Sequence, residues 1–184
     1  KKNELYAAML LTSYLTESNE SPLKKLILEK GLGQDVTLSV EDGIKQSFLK
    51  LKISNTEQEK SAQIKKEVLA LVQKLAQEGL DKKILEAALN QIEFMCREIE
   101  EPRGLYHNIR VLDSYLYGGA PELFLTFDDT FAFLREQLKT DYFEKLLLEM
   151  FDKKALVTLV MVPSPTLSRR REEDETKRVA AVQK

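Results

Sequence analysis

An almost wholly apolar run near the end of the sequence constrains the fold more than any other feature. Residues 155–162 read ALVTLVMV, and Pro163 and Pro165 follow directly. A run of this length, rich in β-branched residues and ended by proline, indicates a strand that is covered on both faces in the middle of a sheet. Because most of the other apolar positions have helical spacing, this strand predicts a domain of the α+β class.

A β-hairpin is predicted upstream of this run. Apolar residues alternate with polar ones over residues 36–40 and again over residues 49–53, and Asp42-Gly43 between them is a hairpin turn signal. The hairpin and the apolar run give only three strands, too few for the helices around them. We therefore expect a mixed, mostly antiparallel sheet with helices packed on one face, completed by a further strand just before Lys1.

Helical spacing predicts most of the remaining chain. Ser21-Pro22 opens a short helix that Gly31 ends, Thr56-x-x-Glu59 has the pattern of a capping box, and Asp81 is placed as an N-cap. A further cap-like pair is Asp141-x-x-Glu144. The helices are predicted at about residues 4–16, 22–30, 56–78, 82–101 and 105–117, then after Thr126 and after Asp141.

Composition excludes several classes of function. The 184 residues carry a formal net charge of −2, which argues against nucleic-acid binding. No apolar run approaches the roughly 18 residues that a membrane-spanning helix needs. Cys96 is the single cysteine, so the chain can form neither an internal disulfide nor a zinc site made of cysteines alone.

The last part of the sequence has a different character. Arg169-Arg170-Arg171 is followed at once by four acidic residues, and the remainder has few apolar positions. Alternating charge of this kind is typical of a solvent-exposed helix with i,i+4 ion pairs rather than of a phosphate or membrane site. We therefore divide the chain into a domain at residues 1–165 and the start of a charged linker helix at residues 166–184.

Three stretches resemble a known family. They are LLTSYLTESNESPLKKLIL at residues 10–28, EAALNQIEF at residues 86–94 and GLYHNIRVLDSYLYGGAPELFL at residues 104–125. Their order and spacing are similar to those of the pitrilysin/insulinase-type zinc metallopeptidases, in the presequence-protease branch. The resemblance places this chain as the non-catalytic second domain of the N-terminal half, followed by the start of the connecting helical hairpin.

That resemblance carries further expectations. It implies a parent zinc metalloendopeptidase that degrades unfolded peptides in an enclosed chamber, with the other domains of the same chain as partners. The location would be cytoplasmic in a bacterium or the organelle matrix in a eukaryote. By order along the chain, the first helix would correspond to the metal helix of the active domain, but it offers Thr12, Ser13 and Tyr14 instead of imidazoles.

We expect no metal site in this chain. The family's inverted zinc motif, H-x-x-E-H, needs two histidines one helical turn apart, and His107 is the only histidine. We interpret His107 as a structural or surface histidine and Cys96, on an apolar helix face, as an inert thiol. We therefore predict no catalytic residue and no metal ligand in this chain. Zinc is expected only in the parent enzyme.

Other candidate residues also have structural interpretations. Glu98, Glu100 and Glu101 end a helix and are expected in solvent, whereas Asp128-Asp129 suits the first turn of a helix. Gly118-Gly119 is expected to be a C-cap and turn. An aromatic group is expected to be mostly core, with a minority lining a groove; its members are Tyr106, Tyr115, Tyr117, Phe124, Phe127, Phe131 and Phe133.

Two functions stay open at this point. The first is a structural domain that walls the peptide chamber of the parent peptidase. The alternative is a non-catalytic scaffold or protein-binding module of a larger assembly. An H-x-x-E-H motif encoded before Lys1 would distinguish them. Because the open edge of a sheet has unpaired backbone groups that can bind another strand, the isolated chain is also expected to form an edge-strand dimer.

Overall fold

The computed structural model of the protein describes residues 2–98 and 101–182. In these ranges the chain forms helices around one antiparallel hairpin. The elements in chain order are α1 Lys2–Thr16, α2 Pro22–Glu29, β1 Asp35–Glu41, β2 Phe48–Ser54, α3 Ser61–Glu78, α4 Lys82–Arg97, α5 Arg103–Tyr115, α6 Asp128–Gln137, α7 Tyr142–Met150 and α8 Leu167–Val182.

Helix α1 lies at the centre of the domain. It contacts α2, β1, α4, α6 and α7, and Ala7, Leu10, Leu11 and Leu15 are fully buried. Each leucine removed from water in this way contributes roughly 1.5–3 kcal/mol of transfer free energy. The core is therefore built around the first helix.

The end of α2 sets the path of the chain into the hairpin. Gly31 has a φ of 59°, and the Leu32 amide donates to the Ile27 carbonyl oxygen at 2.9 Å while the Gly31 amide donates to Leu28 at 3.1 Å. These two bonds form a Schellman motif, in which a left-handed glycine ends the helix as the sequence predicts. Leu32 is buried as a result.

One face of the hairpin packs against the helices, and the other face is exposed to solvent. β1 and β2 pair in the register Val36 with Ile53 and Leu38 with Leu51. Val36 and Leu38 are buried beneath α1 and α2, whereas Thr37 on the other face is exposed. The α+β class, the antiparallel pairing and the packing of helices on one face are thus confirmed.

Of the predicted side-chain N-caps, only that of Asp81 forms. Ser21 occupies the N-cap position of α2, but its side chain makes no cap hydrogen bond. Asp81 accepts from the amides of Lys83 at 2.9 Å and Ile84 at 3.3 Å, as expected of an N-cap. Thr56 does not cap α3, because a short 3₁₀ turn at Gln58–Lys60 delays the helix until Ser61. Asp141 has φ −91° and ψ 18°, outside the extended N-cap conformation, and pairs with Lys145 instead.

Helix α4 is shorter than predicted. It ends at Arg97, with the extended backbone of Glu98 after it, rather than continuing to Pro102. Ile99, which the sequence assigned to its apolar face, lies outside the described residues. The helix therefore ends before Pro102, and the proline is not what ends it.

The central strand predicted at residues 155–162 is wrong for the described chain. Leu156 has extended backbone angles, φ −82° and ψ 126°, but the segment belongs to neither strand of the sheet. A strand meets its backbone hydrogen-bonding requirement only beside another strand, and this segment pairs with neither β1 nor β2. The side chains of residues 157–162 are exposed, and Leu156 is half-buried.

Helix α8 lies apart from the core. None of its described residues is buried, and the Arg169 guanidinium lies 3.6 Å from the Glu173 carboxylate, an i,i+4 pair. The sequence-based prediction of a solvent-exposed, ion-paired helix is confirmed here. Its first residue, Leu167, lies two residues after the boundary drawn at residue 165.

Candidate functional site

An open hollow of about 2060 Å³ lies beside α1. Its walls are α1, the hairpin with its loop, the last turn of α4, α5 and the segment at residues 118–127. Leu146 and Met150 of α7 complete it. The fold therefore gathers residues that are distant in sequence around one concave surface.

Aromatic rings form part of this surface. Tyr6 makes edge-to-face contacts with Phe127, at a centroid distance of 6.0 Å, and with Phe131, at 5.8 Å. The Lys2 ammonium lies 5.4 Å and the Arg110 guanidinium 5.1 Å from the centroid of Phe127. Such cation–π contacts hold two positive charges beside this aromatic part of the surface.

The thiol of Cys96 lies beside the phenol of Tyr6. Burial raises the pKa of Cys96, against the lowering effect of its hydrogen bond with Tyr6 and of Arg110. Burial also raises the pKa of Tyr6, and the neighbouring Cys96 adds to that shift. Both groups are therefore protonated at neutral pH, a state that does not favour nucleophilic attack by the thiol.

The far end of α5 is tied to the hairpin loop. The Tyr117 hydroxyl donates to the Gly43 carbonyl oxygen at 3.0 Å. Burial raises the pKa of Asp113 on the neighbouring turn, and the carboxylate of Asp42 raises it further. A hydrogen bond and two carboxyl groups thus meet where the hairpin reaches α5.

The turn after α5 requires its glycines. Gly118 has a φ of 80°, and a Cβ atom on Gly119 would lie 2.2 Å from the Ser114 hydroxyl oxygen. The Gly119 amide donates to the Ser114 carbonyl oxygen at 3.0 Å, which closes the turn. The interpretation of Gly118-Gly119 as a helix end and turn is confirmed.

The hydroxyl groups of α1 are occupied by contacts within the protein. Thr12 donates to the Met9 carbonyl oxygen at 2.7 Å, Ser13 donates to the Glu17 carboxylate at 3.4 Å, and the Tyr14 oxygen accepts from the Asp81 amide at 3.2 Å. Each of these hydroxyls has a structural partner. They stabilise the helix and the start of α4.

The other predicted candidates do not come together as a group. His107 is exposed on α5 at the edge of the hollow, Glu98 is exposed after α4, and Glu101 pairs with Arg103 at 3.4 Å. Glu100 lies outside the described residues. Within residues 2–98 and 101–182, no group of three or more histidine, cysteine, aspartate or glutamate side chains has an arrangement that could hold a metal ion.

Asp128 and Asp129 occupy the first turn of α6, as their charge predicts. Asp128 also pairs with Arg97 at 2.6 Å, and Arg97 contacts Glu93 at 2.8 Å. This chain of charges connects the end of α4 to the start of α6, and Arg97 at its centre lines the hollow.

The aromatic group divides between core and surface. Phe131 is buried, and Phe124, Phe127 and Phe133 pack against the core. Three tyrosines are exposed, at 45% for Tyr106, 64% for Tyr115 and 44% for Tyr117. Two of these tyrosines, Tyr106 and Tyr117, line the hollow.

Sequence reasoning missed an apolar stripe on α5. Leu105, Ile109, Leu112 and Leu116 have exposed side chains on one face of this helix. Their i, i+4, i+7 and i+11 spacing is the signal that could have found it, because that spacing repeats along one side of an α-helix. A contiguous apolar surface of this kind is typical of an interaction site.

A family model matches the half of the chain that carries α1 and the hairpin. Residues 1–92 match the description "Peptidase M16 inactive domain". The chain belongs to this family. The resemblance to zinc metallopeptidases of the presequence-protease branch is thus confirmed by the family and by the relatives below.

Several curated proteins are similar to the M16 chain over most of its length. Protein HypA of Clostridium perfringens (strain 13 / Type A) is 33% identical over 141 residues, which is 75% of this chain and 14% of HypA. Presequence protease 1, chloroplastic/mitochondrial, of Arabidopsis thaliana is 27% identical over 164 residues, 84% of this chain and 15% of the protease. The M16 chain therefore spans about one seventh of the length of these relatives.

A solved structure shares the fold. The protein is from Bordetella pertussis Tohama I and is assigned as a zinc protease; it superposes with a TM-score of 0.66 at 14% identity, over 88% of the M16 chain and 86% of the matched chain. This likeness supports the arrangement of helices around the hairpin. No helix in the described part of the M16 chain combines the length and the apolar character needed to cross a membrane.

Proposed function

We propose that this chain is the non-catalytic, supporting domain of a zinc metalloendopeptidase. In the parent protein it walls an enclosed chamber in which unfolded peptides are hydrolysed, and it holds the zinc-binding domain in place. Zinc belongs to the parent enzyme, and this domain supplies neither a catalytic residue nor a metal ligand.

The match of residues 1–92 to the inactive M16 domain carries this proposal. That match includes α1, the helix that would correspond to the metal helix of an active domain. The side chains available there are Thr12, Ser13 and Tyr14, whose hydroxyls make protein contacts. Neutral hydroxyls are poor zinc ligands compared with imidazoles.

The proposal extends to the organisation of the parent. Residues 1–165 form the supporting domain and residues 166–184 begin a connecting helix. The partners are the other domains of the same polypeptide and the peptides in the chamber, without nucleic acid or membrane. The location is the cytoplasm in a bacterium or an organelle matrix in a eukaryote, a choice supported by the chloroplastic and mitochondrial names among the relatives.

Metal content and peptidase activity of the purified chain test the proposal. After equilibration with zinc and extensive dialysis, we expect well below one zinc per chain by elemental analysis. An unfolded fluorogenic peptide should be cleaved at the same background rate with and without a chelator. His107→Ala is the matched control, because it removes the exposed histidine without disturbing the core, and it should give the same two results.

Stoichiometric zinc that is lost in His107→Ala, or cleavage that a chelator abolishes, would contradict the proposal. The coding sequence before Lys1 tests the parent separately. An H-x-x-E-H motif there supports the peptidase, whereas an upstream sequence without it favours a scaffold or binding module instead.

A further inference from the structure

We propose that the apolar stripe of α5, formed by Leu105, Ile109, Leu112 and Leu116, is the surface on which another domain of the same polypeptide docks. The partner is an apolar groove on that domain, which receives one side of a helix. The inference rests on the proposed function, because it assigns a place to the contact between this supporting domain and the rest of the parent.

The two sides of α5 are arranged in reverse of an ordinary surface helix. Its residues that line the hollow of its own domain are polar or charged; they are Arg103, Tyr106, His107, Arg110, Asp113 and Ser114. The apolar stripe lies on the opposite side, since Ser114 follows Leu105 by nine residues, about two and a half turns. A surface helix normally turns its apolar side toward the core to which it belongs. The apolar side of α5 therefore fits a partner other than its own domain.

The polar side of α5 also makes the connections to its own domain. Arg110 lies over the ring of Phe127, and Tyr117, just after the helix, donates to Gly43. Among the residues of α5, all of which the structure describes, Ser114 alone is buried. The four side chains of the stripe are between 44% and 66% exposed. The stripe is thus available for contact without any change in how α5 is attached.

The shape of the stripe favours a groove on a folded domain over an unfolded peptide. Its side chains project from one side of a helix, away from the hollow. Ligands bind mainly in concave sites, and extended peptides add to the free backbone groups of a strand edge. A helix offers no such edge, because its amides and carbonyls bond to each other. The concave part of the contact must therefore come from the partner.

The area of the stripe is too small for a stable pair of separate chains. At about 25 cal/mol per Å² and about 1.5–3 kcal/mol per side chain, a large apolar side chain corresponds to roughly 100 Å². The stripe and the adjacent Tyr115, each about half exposed, then present on the order of 300 Å² of apolar area. A stable interface between separate chains buries about 800 Å² per partner, of which about 57% is apolar. Domains joined by a tether have a high effective concentration, so a smaller apolar area suffices between them.

The relatives show how much further polypeptide such a parent contains. The M16 chain spans 14% of HypA of Clostridium perfringens and 15% of presequence protease 1 of Arabidopsis thaliana. In a parent of that length, several times the length of this chain is tethered to α5. A domain of the same polypeptide is therefore the occupant that fits both the size and the shape of the stripe.

Cysteine labelling of the parent protein tests the proposal. Leu112→Cys is introduced into the full coding sequence and into this chain alone, and maleimide modification of the introduced thiol is followed by peptide mass spectrometry. We expect the thiol to react about tenfold or more slowly in the parent than in the isolated chain, because a covered thiol reacts only when the contact opens. Leu116→Cys, 66% exposed on the same stripe, should behave in the same way.

His107→Cys is the matched control. This residue lies on the same helix and is exposed on the side that faces the hollow, so its thiol should react at the same rate in the parent and in the isolated chain. Circular dichroism of each isolated variant should match the wild type, because the substituted side chains are exposed.

Equal rates for Leu112→Cys in the parent and in the isolated chain would overturn the proposal, and so would equal slowing of His107→Cys. Two further outcomes would assign the stripe to a different occupant and overturn the proposal as well. Slowing in the isolated chain as its concentration rises would indicate a second copy, and slowing by an added unfolded peptide would indicate substrate. The proposed function is tested separately by the zinc content of this chain and by the upstream coding sequence, neither of which depends on these labelling rates.

Discussion

Helix α1 and the 155–162 segment are both rich in apolar residues, yet they have opposite environments. Leu10, Leu11 and Leu15 of α1 have no exposed surface, whereas Val157 and Leu159 are almost fully exposed. The difference does not come from hydrophobicity. It comes from how each element satisfies its backbone hydrogen bonds.

A helix makes those bonds within itself, so α1 needs only apolar neighbours in order to be buried. A strand makes them with another strand, so an apolar sequence alone cannot bury it. Apolar content therefore indicates where a chain can be buried, but a strand also requires a partner of the right kind. Three experiments test this contrast, beginning with the largest expected effect.

The same substitution in the two regions should have very different effects. Leu11→Ala leaves a cavity in a fully buried site and should lower the free energy of unfolding by about 2–5 kcal/mol. Leu159→Ala changes a side chain in solvent and should alter it by less than about 0.5 kcal/mol. Urea denaturation at a concentration where the chain is monomeric measures both.

Equal losses in the two variants would show that residues 155–162 are packed in solution, contrary to the structure. A small loss in Leu11→Ala would show instead that the core around α1 is loosely packed.

A buried carboxylate near α1 should give an intermediate effect with a distinct pH dependence. Glu144 accepts from the Leu80 amide at 3.0 Å and from the Lys82 ammonium at 2.8 Å. Burial raises the pKa of Glu144, but these hydrogen bonds outweigh burial and the net pKa lies below its usual range. Glu144→Gln should therefore lower the free energy of unfolding by about 1–3 kcal/mol at pH 7.

The sign of the pH effect follows from the lowered pKa. A carboxylate with a depressed pKa stabilises the folded state above its unfolded pKa, and this contribution disappears as the pH falls through the folded pKa. The difference in the free energy of unfolding between wild type and Glu144→Gln should thus become smaller in acid. Urea denaturation across a pH series measures this difference. Glu29→Gln, at an exposed site on α2, is the control and should show little change at any pH; a gap that widens in acid would contradict the assignment.

The smallest effect is expected from removing α8. Because none of its described residues is buried, a chain that ends at Pro165 should keep its free energy of unfolding within about 0.5 kcal/mol. Thermal unfolding at matched concentration tests this, and it tests the boundary at residue 165 as well. A loss of several kcal/mol would place the last helix in the folded unit.

The helices and the hairpin were predictable because their signals are local. Pro22, Gly31 and Asp81 act through the local backbone, and the alternation around Asp42-Gly43 specifies one packed face. Capping at Thr56 failed because a 3₁₀ turn delays the start of α3. Capping at Asp141 failed because its backbone is not extended, although α7 begins directly after it. The 155–162 strand failed because its partner is not a local property of the sequence.

The surroundings of the hollow could be predicted only in part. The role of Gly118-Gly119 and the charges that begin α6 follow from local rules. The contact between Tyr6 and Cys96 and the bond from Tyr117 to Gly43 join residues 90 and 74 positions apart in sequence. No spacing rule relates such pairs, since they meet only after α1, α4, α5 and the hairpin have packed.

At one side of the hollow, the hydrogen bond between Tyr117 and Gly43 is a weak connection between the hairpin and the end of α5. A single neutral hydrogen bond at an exposed site contributes about 1 kcal/mol, less than twice the thermal energy RT. We therefore expect the hairpin tip and the end of α5 to separate more readily than the floor of the hollow on α1, where Leu10 and Leu11 are fully buried.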